Sequence, residues 1–384
     1  MARNTNKKHF SLKDELFNRQ KVRYLAGLFA LSDADFDAAG FEEAVMERLV
    51  SLELKARIVW IADVLESYVN PDFTVACQQI LAALPAPLDP ALSDDDFGDF
   101  IFAPLGVFVV RNGLDSQYQA LSMHVLKELT QRFSMEDSIR YFIDAYPEEV
   151  MCELEQWATD DNYHVRRLAS EGTRPLLPWS ARLQIPVDRP LAILDILYTD
   201  PTRYVVRSVA NHLNDISKSD PDIVLQVLTR WHQQNAQDHK QSGDELSWLT
   251  SHALRTLIKQ GHPGALQLLG YSLEPDVTVS DLCLDQSVLH GGGILSFSCE
   301  IEACVDEKLM IDYVVCFAKA DGRMSEKIFK LKRCFVKKGD IVLIAKKHHF
   351  RADATTYRLY SGAHSLGLQI NGQRYPQENF TLSL

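Results

Sequence analysis

The chain has 384 residues, 46% of them apolar, and a formal net charge of −12. That is enough chain for two domains with buried cores, and no stretch approaches the roughly 18 to 20 apolar residues of a membrane span. Seven scattered cysteines without a C-x-x-C pair argue against a disulfide framework, a zinc ribbon or a thioredoxin-like motif, so a soluble, unexported, cytoplasmic protein with reduced thiols is expected.

The charge is unevenly spread. Residues 272–384 carry 14 basic and 14 acidic side chains, which leaves 26 basic against 38 acidic in residues 1–271. Within the C-terminal part, residues 319–351 hold 11 basic and 3 acidic groups. Phosphate attraction acts within about a Debye length, roughly 8 to 10 Å, so this local surplus suits nucleic acid whatever the global sum. Lys330, Lys332, Lys346 and Lys347 are its candidate DNA contacts.

In chain order, the start at 1–15 has basic residues but no apolar run behind them. Residues 9–70 read as helices, with Ser11 and Ser32, each followed three residues later by Asp, expected to cap helix starts. Phe41, Val45, Leu49 and Leu52 recur at helical spacing as core positions. Prolines and an acidic run forbid a continuous helix over 83–100, which predicts a solvated connection. Helical periodicity resumes from Ile101 to Tyr146, with Leu121, Val125, Leu126 and Leu129 on one face and Ser134-Met135-Glu136 opening the next helix. A further helix spans 147–157.

Two near-copies of one unit follow, WATDDNYHVRRLASEG and YTDPTRYVVRSVANHLND, 40 residues apart. Asp160 aligns with Asp200, Val165 with Val205, Arg167 with Arg207, and Glu171 with Asn211. A repeat of this length, with a turn-forming start and an arginine-bearing apolar helix, predicts stacked HEAT-like helix pairs. WLTSHALRTLIKQG is a weaker third copy, in which Ser251 replaces the arginine. After Gly270 the period changes to alternation, and VTVSDLCLD, GILSFSCEIEA, KLMIDYVVCFAKA, EKIFKLKRCFV, DIVLIAK, TTYRLY and HSLGLQING predict seven strands of an immunoglobulin-like β-sandwich. No helix follows the HGGG at 290–293, so a hairpin turn is expected there instead of a phosphate cradle. The predicted class is therefore a two-domain α + β chain: an all-α HEAT-like repeat solenoid over 1–271, then the sandwich over 272–384.

Residues four apart share a helix face, which puts Arg207, Asn211 and Asp215 in one column and Arg167 and Glu171 in another. The plain reading is ion pairs on a solvated face, worth a few tenths of a kcal/mol each. In EGTRPLLPW, however, Gly172 ends the helix, Pro175 and Pro178 stiffen the turn, and Trp179 is delivered near Glu171. An indole and a carboxylate together suit a cationic planar ligand.

HVRRLASEGTRPLLPW and RSVANHLNDISKSDP closely resemble the AlkC branch of the AlkC/AlkD-type bacterial alkylpurine DNA glycosylases, and KIFKLKRCFVKKGD with TTYRLYSGAHSLGLQING resembles that branch's appended immunoglobulin-like domain. The resemblance covers nearly the whole chain and is strongest over 155–220. It implies a trough of repeats for duplex DNA containing alkylated bases, a cofactor-free monofunctional hydrolase acting on the N-glycosidic bond of cationic bases such as 3-methyladenine and 3-methylcytosine without flipping them, and a role in base excision repair. It also implies that the lesion faces Glu136, Glu171, Trp179 and Asp215 as catalytic groups, with Arg166, Arg167, Arg174, Arg207 and Asn211 binding DNA. Val206 and Leu176 depart from the family's basic positions, which puts phosphate contacts in doubt while leaving the carboxylates intact.

No lysine belongs to these motifs, so strand-cleaving lyase chemistry is not expected. His164, His212, His348 and His349 lack a partnering motif such as H-E-x-x-H, and no metal is expected. A monomer away from membranes is the expected state. The competing reading is a non-catalytic HEAT-repeat scaffold that binds DNA or a protein partner.

Overall fold

The computed structural model describes residues 11–91, 97–238, 242–351 and 358–384. The basic start, the acidic run at 94–96 and the first half of TTYRLY lie outside the described residues. By contacts the chain divides into two compact units, Met1–Ile216 and Ser217–Leu384. This split differs from the expected division at 271/272, because the helices between Pro221 and Leu268 group with the strands.

The first unit consists of helices joined by loops, with one isolated β-bridge between Gly98 and Phe133 among its described residues, and four of its helices position the site: α1 (Gln119–Thr130), α2 (Ile139–Ala145), α3 (Tyr163–Glu171) and α4 (Arg203–Ile216). The two sequence copies become α3 and α4 with the turns before them. Asn162 caps α3 by accepting from His164 N at 2.9 Å, and Asp160 and Asp200 accept from the backbone two residues on, at Asn162 N and Thr202 N. These side chains satisfy donors that a helix start leaves unpaired. Val165, Leu168, Val205, Val209 and Leu213 are fully buried, each worth roughly 1.5 to 3 kcal/mol of apolar burial.

A cation from an earlier helix holds each turn aspartate. Lys127 on α1 lies 2.7 Å from Asp160, and Arg166 on α3 grips Asp200 through Nε at 2.5 Å and Nη2 at 3.2 Å. The equivalent of Arg166 on α4 is Val206, which is buried, so this inter-repeat staple ends there.

Several expectations are corrected. Ser32 is the last residue of the helix Arg19–Ser32, its hydroxyl donating back to Phe29 O at 3.0 Å, and the next helix is capped by Asp37. The third copy breaks at Leu254 into Gly243–Ala253 and Arg255–Gln260.

The second unit carries nine strands among its described residues: β1 (Val277–Val279), β2 (Cys283–Leu284), β3 (Val288–His290), β4 (Ile294–Ala303), β5 (Glu307–Ala318), β6 (Met324–Val336), β7 (Ile341–His349), β8 (Gly362–Ile370) and β9 (Gln373–Ser383). They form two sheets, β1-β4-β2 with β7 also on β4, and β3-β9-β8-β5-β6. Alternate residues of β4 (Leu295, Phe297, Cys299, Ile301) and of β5 (Leu309, Ile311, Tyr313, Val315) meet in one core, as face-to-face sheets require. VTVSDLCLD is therefore two short strands, and residues 358–360 are not a strand. The strands β3 and β9 were not anticipated, since β9 is polar and contains Pro376, a pattern of edge-like chain. Gly291–Gly293 do not close a hairpin. They carry the chain from β3 in one sheet to β4 in the other, and Gly292 has φ +79°, a conformation glycine adopts without a steric cost.

Candidate active site

Five side chains from three neighbouring segments alternate in charge: Glu136, Arg167, Glu171, Arg174 and Asp215. Glu136 lies in the turn before α2, Arg167 and Glu171 sit one turn apart on α3, Arg174 is in the loop after it, and Asp215 is near the end of α4. Arg167 Nη1 donates to Glu136 Oε2 at 2.5 Å and to Ser134 Oγ at 2.7 Å, while its Nη2 is 3.5 Å from Glu171 Oε1. Arg174 Nη1 donates to the same Glu171 oxygen at 2.5 Å and Nε donates to Asp215 Oδ2 at 2.9 Å. Ser208 on α4 donates to Glu171 Oε2 at 2.6 Å. Each arginine thus bridges two carboxylates, and Glu171 is shared by both.

This is not the solvated row of pairs that helix spacing suggested. The side chains of Glu171 and Asp215 are 6% and 2% exposed, whereas Glu136 is 28% exposed. Burial alone raises the Glu171 carboxyl, but Arg167, Arg174 and the Ser208 hydroxyl outweigh it and hold the group below the usual carboxylate range. Burial likewise opposes the charge on Arg167 and Arg174, and the adjacent carboxylates more than offset it. The Arg167 guanidinium carbon also lies 4.6 Å from the Tyr204 ring centroid, an electrostatic attraction that burial strengthens.

Arg166, Arg167 and Arg174, expected on DNA phosphates, are thus occupied inside the protein. Arg166 is the staple to Asp200 and also donates to Asp160 O and Asp161 O; Arg167 and Arg174 are buried counter-ions. Arg207 and Asn211 are half-buried on α4. Lys330 and Lys332 lie exposed on β6, and Lys346 and Lys347 exposed on β7, so the basic strip divides between two sheets.

The loop after α3 is clamped from α2. Arg140, buried among Ile139, Phe142 and Ile143, donates to Gly172 O at 2.9 Å, Arg174 O at 2.8 Å and Ala181 O at 2.6 Å. Ser180 Oγ donates to Asp137 Oδ1 at 2.5 Å, and Lys55 Nζ donates to Trp179 O. Gly172 permits the close approach, because a Cβ there would stand 2.5 Å from Ile139 Cγ2. Held in this way, Trp179 has φ +69° and is 70% exposed. A bulky residue in the left-handed region costs on the order of 1 to 3 kcal/mol, so the fold sustains strain to present an indole outward. Among the described residues no hydrogen bond joins that indole to Glu171, whose carboxylate is engaged by Arg167, Arg174 and Ser208. Arg140 and Ser208 were missed by sequence reasoning. A lone arginine among apolar helix positions was the available signal for Arg140.

Among the described residues no cluster of His, Cys, Asp or Glu is arranged to hold a metal ion. His212 is buried on α4, its Nδ1 donating to Ser170 O at 3.0 Å while Nε2 has no partner. Burial pushes it down to about 4. The unfolded chain, with histidine near 6.5, binds the extra proton between those values, so the stability tied to neutral His212 is complete above about pH 6.5 and falls toward pH 4. At about 1.4 kcal/mol per unit the loss is about 3 kcal/mol. His212→Asn, which retains a donor toward Ser170 O, is expected to show a shallower slope of unfolding free energy against pH across that window in urea titrations. An unchanged slope refutes the assignment.

A family model described as DNA alkylation repair enzyme matches residues 123–247, and one described as the YhaZ C-terminal Ig-like domain matches residues 278–384. The uncharacterised protein YhaZ of Bacillus subtilis (strain 168) is 35% identical over 255 residues, 66% of this chain and 69% of its own length. The structure of Pseudomonas fluorescens alkylpurine DNA glycosylase AlkC, bound to DNA containing an abasic site analog, is 32% identical with a TM-score of 0.84, covering 98% of this chain and 100% of that one.

Proposed function

Because the chain belongs to the DNA alkylation repair enzyme family and has the AlkC arrangement of helical repeats followed by an immunoglobulin-like domain, we propose that it is a monofunctional glycosylase releasing cationic alkylated bases, 3-methyladenine and 3-methylcytosine, from duplex DNA without base flipping and leaving an abasic site. The observation that carries this reading is the alternating row Glu136–Arg167–Glu171–Arg174–Asp215, with an outward-held tryptophan on the same loop as Arg174.

Alkylation of a ring nitrogen makes the base positively charged and already a good leaving group, so no strong general acid is required. As the glycosidic bond stretches, positive charge passes to the deoxyribose. Carboxylates fixed in place by buried arginines, with Glu171 among them held in its ionised form, can stabilise that charge without reorganising during the reaction. Trp179 supplies a face for the sugar or base. Glu136 is the most accessible of the three acids; its Oε2 is held by Ser134 and Arg167, while Oε1 has no hydrogen bond among the described residues. We assign to Glu136 the positioning of the attacking water. Exposed lysines of the second unit and Arg207 and Asn211 of α4 are the proposed contacts to DNA, offsetting the acidic site.

The test is incubation of the full chain with methylated duplex DNA and chromatography of the released bases. Free 3-methyladenine or 3-methylcytosine, with the strand uncut until alkali is added, is expected. Salt-sensitive duplex binding with no base release favours the non-catalytic scaffold.

A further inference from the structure

The second unit contains a cleft of about 670 Å³ that the proposed glycosylase chemistry does not use. Its wall is aromatic: Phe317 of β5, Phe329 of β6, His348 of β7 and Tyr360. These rings are set in place by one another. Phe329 stacks on Tyr313 with centroids 4.9 Å apart at 17°, and His348 meets Phe329 edge-on at 4.7 Å while its Nδ1 lies 2.8 Å from the Tyr313 hydroxyl. Burial drives His348 down to about 4, so this wall is uncharged at neutral pH.

The rim is cationic. Among the described residues, Lys319, Lys327, Arg351 and Arg358 line the cleft together with two acids, Asp321 and Glu326. Those two acids are engaged by arginines that do not line it: Arg323 Nη2 is 2.6 Å from Asp321, and Arg374 Nη2 is 2.9 Å from Glu326. Arg351 and Arg358 form no salt bridge among the described residues, and the Arg358 guanidinium stands 5.8 Å from the Tyr360 ring.

A ring-lined hollow bordered by lysine and arginine side chains is complementary to a flat ring carrying a negative group. A simple anion would have no use for the aromatic wall, and an apolar ligand none for the rim. Small-molecule sites run from about 300 to 1,000 Å³, bases stack on aromatic side chains with little regard to sequence, and arginine matches phosphate geometry in a fork. We propose that this cleft binds a single nucleotide unit, the base against Phe317, Phe329 and Tyr360 and the phosphate at Arg351 and Arg358. The unit comes either from a free nucleoside monophosphate or from an unpaired nucleotide in a DNA strand.

Calorimetric titration of the full chain with dAMP, deoxyadenosine and a short single-stranded oligonucleotide tests this, using Arg351→Glu/Arg358→Glu and, as a control of equal charge change at exposed positions outside the cleft, Arg48→Glu/Arg230→Glu. Binding of dAMP or the oligonucleotide that weakens at least tenfold in the cleft variant and less than threefold in the control is expected, with deoxyadenosine at least tenfold weaker than dAMP. An oligonucleotide that binds a hundredfold more tightly than dAMP identifies the strand as the source, and equal affinities identify the free nucleotide. Equal weakening by both variants, equal binding of dAMP and deoxyadenosine, or no binding of dAMP and oligonucleotide at millimolar concentration overturns the proposal. None of these readouts involves base release, so the cleft and the glycosylase reading stand or fall separately.

Discussion

Glu171→Gln is expected to slow single-turnover release of an alkylated base about a hundredfold, the effect of removing one preorganised electrostatic contact at a reacting centre, while duplex binding stays equal or tightens. The second half follows from charge: removing a buried anion near DNA lowers repulsion of the phosphates. The side chain lies between Arg167 and Arg174, and each arginine retains one carboxylate in the variant, Glu136 or Asp215. The fold therefore survives, which thermal unfolding run in parallel would verify. Rates equal to those of the parent protein would remove Glu171 from the mechanism.

Arg174→Met is expected to be the most damaging single change in the site, costing about 3 to 5 kcal/mol of stability in denaturant titrations, the usual penalty for breaking a buried ion pair from one side. It takes the shared counter-ion from two carboxylates whose side chains are 6% and 2% exposed. Arg174→Lys restores the charge but not the fork that reaches both Glu171 and Asp215, so it recovers only part of the loss. Combining Arg174→Met with Glu171→Gln and Asp215→Asn is expected to recover much of it, because the stranded charges are then gone. A triple variant no more stable than Arg174→Met would show that lost packing, not uncompensated charge, sets the penalty.

The helical class, the repeat and the change to strands were legible because each rests on local periodicity: the echo of Asp160 and Asp200 at 40 residues, and alternation from Val277 onward. The candidate carboxylates were legible through the family resemblance of EGTRPLLPW and NHLND. The roles of the arginines were not. Helix spacing places Arg167 on the face of Glu171 but is silent on whether that face meets solvent or another segment, and here it meets Glu136 and Tyr204. Arg174 reaches Asp215 across 41 residues, a pairing set by how the loop is clamped. Trp179 was picked out by its prolines, yet its outward presentation depends on a backbone angle that composition does not encode. The strand β9 escaped because five of its first seven residues are polar or charged and its fourth is Pro376, so its identity comes from pairing with β8.

All the acids and guanidiniums of the row fall between Glu136 and Asp215, linked through segments that touch one another directly. Lengthening or shortening the chain upstream of residue 134 by whole helix pairs would leave their mutual register unaltered, whereas an insertion between Glu171 and Ser208 would part the donor from its acceptor. Homologues should accordingly vary in size at the amino-terminal end and keep the 37-residue interval from Glu171 to Ser208 nearly constant.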